Sequence, residues 1–249
     1  MPTDAGQALL DTFDRIRIIS LVQRADRRRE MTGELERLGL PVDGAHIAFH
    51  DACRPDDAGH FPSIGARGCF HSHLDILRET LASDARNVLI LEDDLDFSKD
   101  AEARLPAMLA ALRALPWAIF YGGYEQYGGR LDKAPLSLAD CAETIRTTHC
   151  LAFSREAVTA AVPYLARMAE GRPGDPAGGP MHVDGAYSWF RKAHPAFATY
   201  LATPEIGHQR PSRTDIHALG LTDRMPVLRE TKAFMRRIKR QLGRMRHVD

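Results

Sequence analysis

Four carboxylates crowd residues 92 to 96 of the stretch NVLILEDDLDF: Glu92, Asp93, Asp94 and Asp96. They follow Val88 to Leu91, an apolar run that reads as a strand buried on both faces. Taking a carboxylate out of water is costly unless the charge is paired, so this strand end needs a cation. Asp94 and Asp96 make D-x-D, and Asp93 and Asp96 make D-x-x-D. Hard cations such as Mg²⁺ or Mn²⁺ take oxygen ligands and bridge one or two carboxylates to a diphosphate. There the ion neutralises charge building on a leaving phosphate. Asp94 and Asp96 are the first metal ligands expected, with Asp93 as an alternative to Asp94. Glu92 is expected to accept hydrogen bonds from nearby backbone or an arginine. The competing reading is a helix cap or a solvated turn, and Asp100 before AEARL reads as such a cap.

Arg24, Arg27 and Arg28 supply the opposite charge after the first apolar run. A guanidinium fork suits a phosphate bidentately. The plainer reading of any one of them is a solvated helix start.

Regular elements must position these groups. Residues 15–21, RIRIISL, read as a strand, and residues 26–40 carry Met31, Leu35 and Leu38 at helical spacing before a Gly39 stop. Residues 46–52 read as a second strand. Phe70, Leu74, Leu77 and Leu81 mark one face of a helix that leads into the acidic strand. Residues 101–115 read as a helix with Pro106 near its first turn. Residues 117–123 read as a strand, 124–140 as loop and 148–154 as a strand. Residues 155–169 read as a helix that Pro163 kinks or restarts. The Gly/Pro-rich segment 170–180 reads as a surface loop or lid. A helix is expected from Val183 to Phe190, and FATYLATP reads as a last strand. Alternation of strands and helices implies an α/β fold with a mostly parallel sheet flanked by helices. Ligands then sit outside the carboxyl ends of the strands, where the acids fall.

The expected organisation is an N-terminal extension at 1–14, one domain at 15–220, and a basic amphipathic helix at 221–249. The stretch KAFMRRIKRQLGRMR, residues 232–246, holds seven lysines and arginines and no acid. Its apolar stripe suits either an anionic membrane surface or packing on the domain. Over the whole chain, 33 Lys and Arg balance 33 Asp and Glu, so a nucleic-acid partner is not expected. Cys53, Cys69, Cys141 and Cys150 form no C-x-x-C pair, and the first residues are polar. Reduced thiols in a cytoplasmic protein are expected, peripheral at an inner membrane if the basic helix binds lipid.

Three segments taken together resemble glycosyltransferase family 25, the lipopolysaccharide-type transferases related to collagen galactosyltransferases. The family's opening I-x-x-I-N-L with a later Arg is matched by Ile16 to Leu21 and by Arg27 or Arg28, with Ser20 at the usual Asn. Its G-x-x-G-C-x-x-S-H-L is matched by Gly65, Gly68, Cys69, Ser72, His73 and Leu74, while His71 replaces an apolar position. L-E-D-D is matched by Leu91 to Asp94. Asp51 stands in place of the Asp of the family's A-x-D-G segment. The likeness is good over most of 15–100 and looser from 115 to 215.

The resemblance implies a GT-A-like (Rossmann-like) fold, a nucleotide-diphosphate sugar donor, UDP-linked first among them, and a Mn²⁺ or Mg²⁺ ion. It implies transfer of a hexose, galactose first among them, to a saccharide hydroxyl of a lipopolysaccharide or lipid-linked glycan, with inversion. Under it, Ser20 and Leu21 lie on the donor side, and Asp51 accepts from ribose or uracil, unless it only ends a turn. Gly65 and Gly68 allow close backbone approach or helix packing. Ser72 and His73 line the donor site, with His73 orienting the acids or simply satisfied in the core. Asp184 is the general base for the acceptor hydroxyl, or the N-cap of the helix behind it. His208 is a third metal ligand, or an exposed loop histidine, with Arg210 and Arg213 flanking it. The rival functions are a sugar-phosphate nucleotidyltransferase and a catalytically degenerate glycan-binding module. LVQRADRRRE lacks the glycines of a nucleotidyltransferase phosphate loop.

Overall fold

A strand with no polar side chain on either face needs helices on both sides of its sheet. The computed structural model describes residues 1–210 and provides them. The basic helix expected at 221–249, the end of the 15–220 domain and Arg213 lie outside the described residues.

In chain order the elements are α1 (Asp4–Thr12), β1 (Ile16–Ser20), α2 (Ala25–Arg37), β2 (Ile47–Asp51), α3 (Ile64–Leu81), β3 (Asn87–Glu92) and β4 (Leu95–Phe97). Then come α4 (Ala101–Arg113), β5 (Ile119–Gly123), β6 (Gln126–Tyr127), β7 (Leu136–Leu138), β8 (Ile145–Arg146) and β9 (Cys150–Ser154). The last are α5 (Arg155–Glu170), α6 (Val183–Ala193), β10 (Thr199–Ala202) and β11 (Gly207–Gln209).

The main sheet has seven strands in the order β2-β1-β3-β9-β5-β10-β7. β1 is parallel to β2 and β3, and β10 is parallel to β5, while β9 and β7 run the other way. Five of the seven strands thus share one direction, and the mostly parallel α/β expectation is met. The antiparallel β9, inserted between β3 and β5, makes the sheet mixed. Two short ribbons, β4 with β11 and β6 with β8, stand apart from it.

Side chains alternate across the sheet as the strand period requires. Ile16, Ile18, Leu89 and Leu91 join one core with residues of α1, α2 and α4. Ile19, Val88 and Ile90 join the other with residues of α3, α5 and α6. An Ile90→Ala change would cost about 2–5 kcal/mol, the usual price of a buried cavity. Helix starts are set locally. Ser63 accepts from the Ala66 N–H at 3.0 Å, and Ser154 from the Ala157 N–H at 3.3 Å.

Several expectations need correcting. The first residues are not simply polar: α1 buries Ala5, Ala8 and Leu9 in the core shared with α4. Residues 124–140 contain β6 and β7, and β7 closes an edge of the main sheet. Pro106 lies past the first turn of α4, and α5 runs unbroken through Pro163. Thr159, whose carbonyl Pro163 cannot bond, is exposed and open to water. The Gly/Pro segment is an exposed surface loop over most of its length, as expected, and only Gly178 to Pro180 are buried, where a Cβ added at Gly178 would approach Met168 to 2.9 Å and Trp189 to 3.2 Å.

Candidate active site

β3 carries the chain to the carboxyl end of the sheet, and the turn at Asp93 and Asp94 sends it back through β4. β4 then pairs antiparallel with β11, setting His208 directly opposite Asp96. Opposed residues in such a ribbon share a face. Two residues 112 positions apart are therefore brought together by strands that the sequence pattern did not disclose.

The acids differ sharply in their partners. Asp93 is buried, and its Oδ2 accepts from the Ser20 hydroxyl at 2.7 Å. Its Oδ1 accepts from Arg27 at 2.9 Å, and its N–H donates to the Ile19 carbonyl at 3.2 Å. Asp93 thus ties β3 to β1 and α2. Asp94 lies 3.6 Å from the same guanidinium through Oδ2, but its Oδ1 is buried with no hydrogen-bond partner. Burial, only partly offset by Arg27, raises its pKa to about 6. Asp96 accepts from Arg210 at 2.9 Å, and Arg210 also pairs with Glu30. The Arg210 N–H donates to the Asp94 carbonyl at 2.6 Å.

Glu92 accepts from the Thr148 hydroxyl at 2.8 Å and the Gln209 amide at 3.1 Å. Its expected backbone or arginine donors are thus replaced by two side chains. Desolvation, with Asp94 next in weight, pushes its pKa up to about 8. His73 is fully buried, and its Nδ1 lies 3.1 Å from the Tyr187 hydroxyl. Desolvation holds its pKa down to about 3, so the ring is neutral. Burial, and after it the negative charges of Glu92, Asp184 and Asp94, raise the Cys69 thiol well above its usual value.

Asp94 keeps one buried carboxylate oxygen without a partner, whereas Asp96, two residues on, is held by Arg210, and His208 lies opposite Asp96 in the ribbon. Among the described residues, the His, Cys and acidic side chains whose ligand atoms come within 4.8 Å of one another are Cys69, His73 and Glu92, not the expected Asp94, Asp96 and His208. Among the described residues the His208 ring makes no hydrogen bond.

The remaining expected residues divide into two groups. Arg24 pairs with Asp26 at 2.8 Å at the start of α2. Arg28 donates to the Ser20 carbonyl at 3.0 Å, pairs with Asp51 and lies over the Phe49 ring. Leu21 accepts the Arg24 N–H in the turn between β1 and α2. These residues gather with Ser20, Arg27 and Asp93 at the ends of β1 and β2. Ser72 is engaged inside the fold: its hydroxyl donates to the Gly68 carbonyl at 2.7 Å and accepts the Cys53 N–H at 2.8 Å. Gly68 has to lack a side chain, because a Cβ would meet the Cys53 carbonyl at 2.4 Å. Gly65 lies in the first turn of α3. Asp184 is not the N-cap but a first-turn residue of α6, and its Oδ2 accepts the Thr147 N–H at 3.2 Å.

Thr148 and Gln209, which hold Glu92, were not anticipated. Gln209 follows His208 in a segment already marked by its histidine and arginines, so its place was within reach. Thr148 gave no signal, because nothing in the sequence reveals that β9 runs beside β3.

Set on a mixed α/β sheet, the acids occupy the strand-end position where such folds bind ligands. Residues 13–127 match the family model described as Glycosyltransferase family 25 (LPS biosynthesis protein). The resemblance carried by the three segments is borne out over that span, which holds the acidic turn. The inactive glycosyltransferase 25 family member 3 of Homo sapiens is 30% identical over 132 residues, 46% of this chain and 22% of that protein. A glycosyltransferase 25 family member of Aedes aegypti is 29% identical over 126 residues, 43% of this chain and 21% of that protein. The chain therefore spans about a fifth of the length of these relatives. A crystal structure of a glycosyltransferase involved in glycosylation of the major capsid of PBCV-1 aligns with TM-score 0.46 and 11% identity, over 90% of this chain and 99% of that one.

Proposed function

We propose that this chain is a metal-dependent glycosyltransferase. It moves a hexose, galactose in the first instance, from a UDP-linked donor to a hydroxyl of a lipopolysaccharide-type or lipid-linked glycan, with inversion. The observation that carries the reading is the buried, unpartnered Oδ1 of Asp94, in the acidic turn whose Asp96 lies opposite His208.

Asp94, Asp96 and His208 would hold Mn²⁺ or Mg²⁺. When bound, the ion supplies Lewis acidity to the leaving diphosphate. Arg27, already shared between Asp93 and Asp94, can turn part of its fork to a phosphate oxygen. Arg28 and Asp51 would meet the nucleoside end of the donor, with Asp51 exposed enough to accept from a ribose or base. Asp184 takes the acceptor hydroxyl's proton as the glycosidic bond forms. Its oxygens accept the Thr147 and Gly185 N–H groups, and each keeps a lone pair for that purpose.

A catalytically degenerate module is the second reading. Two observations favour it: the human relative is named inactive, and Arg210 already pairs with Asp96. Calorimetry with UDP and Mn²⁺ tests the site directly. Binding is expected in the wild type and is lost in Asp94→Ala and Asp96→Ala. Equal binding in all three proteins overturns the metal assignment. Slow hydrolysis of a UDP-hexose without acceptor separates an enzyme from a binding module.

A further inference from the structure

We propose that Cys69, His73 and Glu92 form a second metal site, taking a thiophilic divalent cation of the Zn²⁺ class. It is separate from the Asp94 and Asp96 pair and does not depend on the donor reading above. Cys69 and His73 are four residues apart on α3, so their side chains stand one above the other. Glu92 faces them from the end of β3. The thiol sulfur, an imidazole nitrogen and a carboxylate oxygen lie within 4.8 Å of one another.

The ring is set for the task. Tyr187 engages Nδ1, which leaves Nε2 as the nitrogen on offer. Nε2 is buried, has no hydrogen-bond partner, and lies 4.0 Å from Glu92 Oε1. That gap is too long for a hydrogen bond. It is close to the ligand spacing around one ion with bonds of about 2.0–2.3 Å. Closing the triad onto an ion needs a movement on the order of 1 Å. An outer partner on the second ring nitrogen is what metal-bound histidines have, and Tyr187 is that partner here. Thr148 and Gln209 hold the carboxylate in the same way.

The donor types choose the ion. Thiolate with imidazole and one carboxylate suits Zn²⁺, whereas the carboxylate pair with His208 suits Mn²⁺ or Mg²⁺. Three protein ligands leave a fourth position for water or substrate. Binding forms a sulfur–metal bond as Cys69 releases its proton to the buffer.

The test uses the full chain, stripped by chelator and titrated with Co²⁺ alone. One equivalent is expected to bind with visible bands of tetrahedral cobalt and a near-ultraviolet thiolate-to-metal charge-transfer band. Zn²⁺ is expected to bleach both. Cys69→Ser, folded by circular dichroism, is expected to lose the charge-transfer band. Asp94→Asn with Asp96→Asn is expected to keep it. A wild-type spectrum without the band overturns the proposal, as does a band that survives in Cys69→Ser. Alkylation mapped by mass spectrometry gives a second measure in the unaltered chain: Zn²⁺ is expected to protect Cys69, and equal labelling with and without Zn²⁺ overturns the site. Mn²⁺ and UDP binding, measured on the same samples, reports the other site separately.

Discussion

The two sides of the β3 turn carry the same kind of charge and treat it oppositely. Toward β1 and α2, every atom of the Asp93 carboxylate is used: Ser20 takes one oxygen and Arg27 the other. By contrast, Asp94 Oδ1 in the same turn and His73 Nε2 on α3 are buried with no hydrogen-bond partner. A fully satisfied buried charge holds a fold together, whereas an unsatisfied one costs stability and is kept for something it binds. Adjacent residues thus separate into a structural tie and a ligand-seeking group, a division that the run EDD alone does not reveal.

The largest expected effect falls on the closed side. Asp93→Ala removes the nearer of two carboxylates from Arg27, whose side chain is only 12% exposed, and the acceptor of the Ser20 hydroxyl, while Asp94 stays at 3.6 Å. Losing these charge-assisted bonds is expected to cost about 1.5–3 kcal/mol in urea unfolding. A loss below about 1 kcal/mol, the range of an exposed pair, would erase the contrast between the two sides.

Asp94→Asn should act in the opposite sense. It removes a buried charge that lacks a full partner, so stability at pH 8 is expected to hold or to rise by about 1–3 kcal/mol. Mn²⁺ affinity should fall by more than the ~10–100-fold typical of losing an outer-shell group. Destabilisation as large as that of Asp93→Ala would place Asp94 on the structural side.

The pH dependence follows from the same asymmetry. The Asp94 pKa is raised from 3.8 to about 6, so the folded state holds this proton more tightly than the unfolded chain. Its contribution to stability is fully present below 3.8 and is lost as pH rises through about 6. A metal must displace that proton. Mn²⁺ affinity is therefore expected to fall about tenfold per pH unit below 6, and to level off above it. Thermal melts with and without Mn²⁺ between pH 5 and 8 read both trends. A flat affinity profile that Asp94→Asn leaves unchanged would remove Asp94 from the site.

Much of the scaffold was legible because it rests on local periodicity. The apolar run of β3, the α3 stripe and the alternation of strands with helices follow from spacing within one element. What was hidden depends on distant pairing. β4 and β11 are three residues each, too short to show a period, yet their register is what brings His208 to Asp96. β9 was recognised as a strand, but its antiparallel place beside β3 has no local signature. The same limit applies to the acids. Their density pointed to a cation, while the division of labour between Asp93 and Asp94 depends on Ser20 and Arg27, which are 73 and 66 residues away.

The smallest expected effect probes whether the closed side also meets the donor. Asp51 ends β2 and pairs with Arg28, but its side chain is 68% exposed. Solvent screens such a pair, so Asp51→Ala is expected to change stability by about 0–1 kcal/mol. Arg28 keeps its bond to the Ser20 carbonyl and its place over Phe49, so the β1–β2 end should not rearrange. Any loss of UDP affinity then reports contact with the nucleoside rather than damage to the fold. Calorimetry is expected to show weaker UDP binding at unchanged Mn²⁺ affinity. Unchanged binding of both would confine the donor to the open side, with β1 and β2 serving only to hold Asp93 in place.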